Sequence, residues 1–337
     1  MTSSLSRTAD SAGRPGTSAD LPAGSVAMIA AETLDAGLLR SLAAEFARRG
    51  TIHATDTAEF TAGSGTARHQ VKAVRWSLSM EDSDDDFGTQ LIGSLLEDVA
   101  HQLSADGQIV TTTVVPARHR PVGDSGERLM LIMDVDSTLI DQEVIDLLAA
   151  HAGRAQEVAE VTERAMRGEL DFAQSLHARV AALKDLPESV LEEVYHQVTP
   201  TAGAEELVAE FRRRDWPVYA VSGGFLQILE PLAEVLQLTG YHANDLQLHE
   251  GRLAGTVAGA VVDRTAKRER LLSWAQENGV SPQSVVAIGD GANDLDMVTA
   301  AGLGVAFCPK PALAEQADLV ISHRNLLLVP YALGISR

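Results

Sequence analysis

Five consecutive apolar residues, 129–133 (LMLIM), run straight into Asp134-Val135-Asp136-Ser137-Thr138. An apolar run of that length reads as a strand buried on both faces, which requires helices on either side of a parallel sheet. In such a sheet ligands bind at the carboxyl ends of the strands. Asp134 and Asp136, two residues apart, can turn toward the same side there. Two carboxylates in different environments can divide a reaction, one attacking as a nucleophile while the other moves a proton. Alone, the pair could equally cap the next helix and face solvent, so the residues downstream decide.

A second buried strand, 217–221, ends in Ser222-Gly223-Gly224-Phe225 before a helix starting at Leu226. Backbone N–H groups at such a turn can approach a phosphate, although two glycines can also mean only a tight turn. A third strand, 284–288, ends in Gly289-Asp290-Gly291-Ala292-Asn293-Asp294. The glycines permit a sharp turn there, while Asp290, Asn293 and Asp294 bring oxygens to one point, a donor set for a hard divalent cation such as Mg²⁺. Capping of the next helix would account for Asn293 or Asp294 but not for Asp290. Strands at 304–307 and 319–321, and a hairpin over 246–262 turning at Glu250-Gly251, complete a doubly wound α/β parallel sheet. Lys267 stands near the start of a helix over 265–278, where a single lysine is usually exposed. The segment 142–214 is helical, and Phe172, Leu176 and Val180 share one helical face within it. Helices inserted directly after the first core strand would form a lid over its carboxyl end.

Residues 1–25, rich in Ser, Thr, Gly, Ala and Pro, read as a disordered tail. From 26 to 116 the order is strand, helix, strand, strand, helix, strand. The strands are expected at 26–31, 51–61, 69–80 and 108–115, and the helices at 36–49 and 86–103. This βαββαβ order is the ferredoxin-like α+β arrangement and resembles an ACT-like domain. ACT domains that bind amino acids commonly carry a Pro-Gly pair after the first strand. Here AETLDAGLL has Gly37 and no proline, so a packing or dimerisation module, and with it a homodimer, stands beside a regulatory one. The acidic run Glu81, Asp82, Asp84, Asp85 and Asp86 reads as a solvated loop before a helix N-terminus. Residues 117–127 have linker composition, and the second domain occupies 128–337.

With 27 Lys+Arg against 47 Asp+Glu, the formal net charge of −20 repels nucleic acid and anionic membrane, so neither is an expected partner. An anionic substrate would need positive charge concentrated in its pocket. Cys308 is the only cysteine, which excludes an intrachain disulfide and reads as a buried structural thiol. No apolar stretch approaches the roughly 18 residues that span a bilayer, and the N-terminus has no signal-peptide h-region. A cytoplasmic protein is expected.

A dianionic phosphate must be neutralised before a carboxylate can attack it, and a divalent ion with a lysine can do so. The residues thus favour phosphoryl transfer through an aspartyl-phosphate, and no Walker or kinase signature implies a nucleotide. DVDST, SGGF, Lys267 and GDGAND together resemble the haloacid dehalogenase superfamily. The finer pattern over about 129–328, with Glu143, MRGELDFAQSLHARV, KDLPESV, TPTAGAEELV, VYAVSGGF and VAFCPKP, is similar to the phosphoserine phosphatase family. That resemblance implies a Rossmannoid core with a helical cap at about 142–214. It makes Asp134 the nucleophile and a Mg²⁺ ligand, and Asp136 the acid and then the base, with its backbone carbonyl on the metal. Asp290 would complete the protein ligands and Asp294 support them from behind. Ser222, Gly223 and Lys267 would hold the phosphate, and Asn293 would help place it. In the lid, Glu143 would meet the substrate ammonium and Arg179 its carboxylate, while Met166 and Phe172 close the pocket. The implied reaction is Mg²⁺-dependent hydrolysis of O-phospho-L-serine to L-serine and phosphate, the last step of serine biosynthesis. Two alternatives are transfer of the phosphoryl group to an alcohol such as homoserine, and amino-acid sensing by a degenerate phosphatase fold.

Overall fold

A computed structural model of the chain describes residues 24–80, 85–120 and 128–335. Most of the expected tail, the acidic residues Glu81, Asp82 and Asp84, and the linker residues 121–127 lie outside these segments. The N-terminal unit is built from β1 (Ser25–Ala31), α1 (Ala36–Ala47), β2 (Gly50–Ala62), β3 (His69–Met80), α2 (Asp85–Ala105) and β4 (Val110–Val115). Its strands form an antiparallel sheet in the order β2-β3-β1-β4. Asp35 starts α1 by accepting from the N–H groups of Gly37 and Leu38, as an N-cap should.

Every residue of β1 is buried, because this sheet is covered twice. Ala27, Ile29 and Ala31 meet Leu42 and Phe46 of α1 and Ile92 and Leu96 of α2. The alternate residues, Met28 and Ala30, lie with Phe60 and Val71 in the main core shared with the rest of the chain. Arg75 is the polar centre of that junction, with only 1% of its surface exposed. It pairs with Asp56 at 2.9 Å, donates to the carbonyls of Tyr331 and Ile335, and lies 4.0 Å over the Tyr331 ring. A buried guanidinium is tolerated only when its donors are met, and these contacts meet them.

The second sheet starts with β5 (Met130–Met133). The lid helices α3 (Val144–His151), α4 (Ala155–Met166), α5 (Phe172–Ala181) and α6 (Ser189–Tyr195) follow, and then α7 (Ala204–Arg213), which lies against the next strand. That strand is β6 (Val218–Phe225), followed by α8 (Leu226–Leu236), the hairpin of β7 (Gly240–His249) and β8 (Arg252–Ala258), and α9 (Arg264–Glu277). Last come β9 (Val285–Gly289), α10 (Leu295–Ala300), β10 (Leu303–Phe307), α11 (Pro311–Ala314), β11 (Leu319–Ile321) and α12 (Leu328–Ala332). The strand order is β11-β10-β9-β5-β6-β7-β8, parallel throughout except for the hairpin. Glu250 and Gly251 make the hairpin turn with φ of 51° and 72°, as the sequence predicts. Strand ends differ from expectation in two places: the hairpin expected over 246–262 starts at Gly240 and ends at Ala258, and β6 continues through Ser222-Gly223-Gly224 to Phe225, its register breaking between Val221 and Phe225. The glycines therefore form an irregular strand end that leads directly into α8. Among the described residues, no helix is long and apolar enough to cross a membrane.

Candidate active site

Met133 of β5 pairs with Ala220 of β6 and with Ile288 of β9, so all three strands deliver their following residues to one edge. The Asp134 N–H closes on the Ile288 carbonyl at 2.9 Å. Residues Val135–Leu139 then make one wide turn with Ser137 at φ 57°, which swings Asp136 back toward the strand end. Asp136 Oδ1 accepts from the Val144 N–H at 2.7 Å, and Oδ2 accepts from Ser222 Oγ at 2.9 Å. Ser222 Oγ in turn accepts from the Gly224 N–H. A Cβ on Gly224 would stand 2.6 Å from Asp136 Oδ2, so this approach requires glycine.

Lys267, at a place in a helix where a lone lysine is usually exposed, is fully buried. Asp263 caps α9 by accepting from the Ala266 N–H, and that start turns the lysine inward. Its Nζ donates to Asp134 Oδ1 and to Asp294 Oδ1, both at 2.6 Å. Burial alone would lower the Lys267 pKa, but the two carboxylates raise it and keep the ammonium charged. The other oxygen of Asp294 accepts from the N–H groups of Asp290 and Gly291, so Asp294 braces the Asp290 turn from behind. Lys310 reaches Asp290 at 3.1 Å.

Four carboxylates (Asp134, Asp136, Asp290, Asp294) thus meet two ammonium groups. Burial, with Asp294, Asp290 and Asp136 adding repulsion, pushes the Asp134 carboxyl well above the ordinary range despite Lys267. Burial also raises Asp136 and Asp290. One carboxylate oxygen from each of Asp134, Asp290 and Asp294 lies within 4.8 Å of the others. A cluster of oxygen donors with surplus negative charge fits a hard divalent cation.

Above the cluster is a cavity of about 170 Å³. Asp134, Asp136, Gly223, Asp290 and Asn293 line its core side, and Glu143, Phe172 and Arg179 its lid side. Ser222 and Lys267 stand behind that lining, bonded to the carboxylates of Asp136 and Asp134, and Asp294 stands behind it too, bonded to Lys267 and to the Asp290 N–H. Met166 ends α4, and its side chain lies outside the described structure. Lid and core touch: a Cβ on Gly223 would meet the Phe172 ring at 2.8 Å. A capping box between Asp171 and Gln174 fixes the start of the helix that carries Phe172. Burial, with repulsion from Asp136, raises Glu143 to about 7 while Ser137 Oγ donates to it at 2.9 Å. The degenerate-site alternative fails on this convergence of Asp134, Asp136, Lys267 and Asp290.

A family model described as haloacid dehalogenase-like hydrolase matches residues 130–302. The chain belongs to the haloacid dehalogenase-like hydrolases. A phosphoserine phosphatase from Streptomyces coelicolor is 46% identical over 271 residues, covering 80% of this chain but 62% of that protein. One from Streptococcus thermophilus is 48% identical over 200 residues, covering 59% of this chain and 93% of that protein. The chain therefore stands within the phosphoserine phosphatase family, while spanning about three fifths of the Streptomyces relative. A solved structure titled as a phospho-aspartyl intermediate analogue of phosphoserine phosphatase has 42% identity and a TM-score of 0.58, covering 61% of this chain and 98% of that one. In this haloacid dehalogenase-like hydrolase, sequence reasoning missed Lys310 as a site residue. The only signal for it was its place in VAFCPKP, just beyond a buried strand. Cys308 in the same stretch is half-buried, its thiol pushed by burial up to about 11, which suits the inert role read for it.

Proposed function

We propose that this hydrolase cleaves O-phospho-L-serine to L-serine and phosphate through an aspartyl-phosphate, in the cytoplasm. One observation carries the reading: a single small cavity has the Asp134 cluster on its core side and Glu143 with Arg179 on its lid side. Drug-sized ligands occupy about 300–1,000 Å³, so this cavity suits a smaller substrate. A carboxylate and a guanidinium facing each other there match the ammonium and carboxylate of an amino acid.

Asp134 attacks phosphorus, the bond to the serine oxygen breaks, and Asp136 gives its proton to that oxygen. The raised Asp136 pKa favours the protonated form this step needs. The Asp136 carboxylate then takes a proton from water as that water attacks the aspartyl-phosphate, releasing phosphate and restoring both side chains. Lys267, Gly223 and Asn293 orient the phosphoryl group, and Ser222 holds Asp136 in line. Mg²⁺ bound by Asp134, Asp290 and the Asp136 backbone carbonyl, with Asp294 behind, would supply charge neutralisation at the phosphoryl oxygens. For the N-terminal unit, its βαββαβ order supports an ACT-like module, and light scattering on the purified chain tests the proposed homodimer.

The direct test is phosphate release from O-phospho-L-serine, phosphothreonine and ethyl phosphate, with Mg²⁺ and with EDTA. Expected are a strong preference for phosphoserine, loss of turnover in EDTA, and loss of the preference in Arg179→Ala by about 10²-fold or more in kcat/KM. Equal cleavage of all three esters by the unaltered protein would overturn the substrate. A second expectation concerns pH. As pH rises through about 7, Glu143 ionises and can hold the ammonium, so kcat/KM for phosphoserine rises across that point. Glu143→Gln should remove the step, and ethyl phosphate, lacking an ammonium, should not display it. A step that persists in Glu143→Gln would sink this assignment.

A further inference from the structure

The segment after β11, residues His323, Arg324 and Asn325, belongs to none of the machinery above, yet it touches both the lid hinge and the N-terminal sheet. The Arg324 side chain, 19% exposed, spreads its guanidinium over the turn that leaves the active site. Its Nε donates to Asp141 Oδ1 at 2.7 Å, one terminal nitrogen to the Ser137 carbonyl at 3.1 Å, and the other to the Ile140 carbonyl at 3.1 Å. The Phe307 ring lies 5.8 Å from the guanidinium carbon. Ser137 follows Asp136, and Ile140 and Asp141 are where the chain departs for the lid. The lid's returning strand pairs here too: Ile140 bridges to Pro200, and Asp141 and Thr201 exchange backbone bonds with Thr199 and Leu139. Arg324 therefore grips the hinge where the outgoing and returning segments pair.

The same three residues are held from the other side by the N-terminal unit. The Gly63 N–H donates to the Arg324 carbonyl at 3.2 Å, and Asn325 Nδ2 donates to the Thr61 carbonyl at 2.9 Å. Thr111 Oγ1 bonds His323 Nδ1 at 2.9 Å and accepts from the Ser322 N–H. We propose that Arg324 is a positioning residue for the reaction, locking the Asp136 turn and the lid hinge in one arrangement, and that the N-terminal sheet sets its position. A planar five-donor fork can tie three acceptors on one turn in a way no single ammonium can. Misplacing a reacting group by about 1 Å is worth about 10²-fold in rate, so the grip has kinetic consequences. The substrate arm of the proposal rests on the phosphoserine reading; the Asp136 arm does not.

The experiment is steady-state kinetics of the full chain on O-phospho-L-serine and on p-nitrophenyl phosphate, with Tm recorded for every variant. Arg324→Met is expected to lower kcat on both esters by about 10- to 100-fold, because the turn carries Asp136, and to raise KM for phosphoserine alone, because the hinge carries the lid. Arg324→Lys should recover part of kcat through the donors it retains. Thr111→Val, on β4 and outside the cavity lining, should raise KM for phosphoserine several-fold, with Tm lowered because the Ser322 N–H and His323 Nδ1 lose their partner. Wild-type constants in Arg324→Met, or a kcat loss that follows Tm with no recovery in Arg324→Lys, overturns the positioning role. Should Arg324→Met fail to fold, Thr111→Val decides, and an unchanged KM there overturns the link to the N-terminal sheet. If the unaltered protein cleaves p-nitrophenyl phosphate but not phosphoserine, the substrate reading has failed, and kcat on p-nitrophenyl phosphate still judges Arg324.

Discussion

Replacing Asp134 by Asn is expected to abolish phosphate release, by at least about 10⁴-fold in kcat, while leaving the fold no less stable. The amide keeps the shape of the carboxylate but cannot attack phosphorus. Stability should move the other way because Asp134, 3% exposed, sits with Asp294, Asp290 and Asp136 in a cluster that disfavours its charge. Its folded pKa lies above the ordinary carboxylate value. The folded state therefore holds a proton that the unfolded state has released, and stability falls as pH rises from that ordinary value through the raised one. Asn removes that penalty, and Lys267 keeps Asp294 as a partner at 2.6 Å. At pH 7 without a divalent ion, Tm of Asp134→Asn should equal or exceed that of the unaltered protein. The rise of Tm on adding Mg²⁺ should shrink, because one ligand is gone and binding to the folded state stabilises it by mass action. Activity within tenfold of the unaltered protein would remove Asp134 as nucleophile, and a large fall in Tm would refute the charge argument.

These contrasts follow the difference between what is local and what is tertiary. Asp134, Asp136 and Asp290 were legible because each follows a buried apolar strand, and a carboxylate at that place is exposed to the sheet's ligand edge. The strand register then brings them together. Lys267 carried no such mark: a lysine early in a helix rich in charged residues looks solvated, and only the pattern of neighbouring motifs pointed to it. Its burial depends on Asp134 and Asp294, which lie 133 and 27 residues away in sequence. Arg324 is the extreme case. Its partners are two backbone carbonyls, the Thr201 hydroxyl and Asp141, some 183 residues upstream, and carbonyls have no sequence signature. The second covered face of the N-terminal sheet was hidden for a related reason. β2 alternates buried or half-buried with exposed positions as a one-sided sheet would, and it is the half toward its end, Ala58, Phe60 and Ala62, that reaches the shared core. Ser222 fits the motif it was read from, but its hydroxyl is engaged with Asp136, which follows from the irregular end of β6.

Lys267→Met is expected to damage activity and fold together, lowering kcat by more than about 10³-fold and destabilising the fold by about 3–5 kcal/mol. The methionine fills the same volume, so the loss is one of charge: Asp134 and Asp294, both buried, lose the ammonium that bridges them. Their neighbours Asp290 and Asp136 are themselves raised by burial, so protons are the nearest substitute. With the cation gone, the pKa values of Asp134, Asp136 and Asp290, each raised by burial and held down in part by Lys267, climb further above the unfolded ones. The variant should accordingly be most stable at the acid end and lose stability more steeply than the unaltered protein as pH rises above about 4. Mg²⁺ should restore part of its Tm but not its activity, since the metal can neutralise Asp134 without reproducing the bond from Nζ. Thermal melts across pH, with and without Mg²⁺, measure all of this, and a Tm for Lys267→Met that is flat in pH would remove the electrostatic explanation. The sharpest discriminator is the double variant Asp134→Asn, Lys267→Met. If lost packing were the cause, the two changes would add; if surplus negative charge is the cause, Asp134→Asn stabilises the Lys267→Met background by more than it stabilises the unaltered protein, a coupling between residues in direct contact.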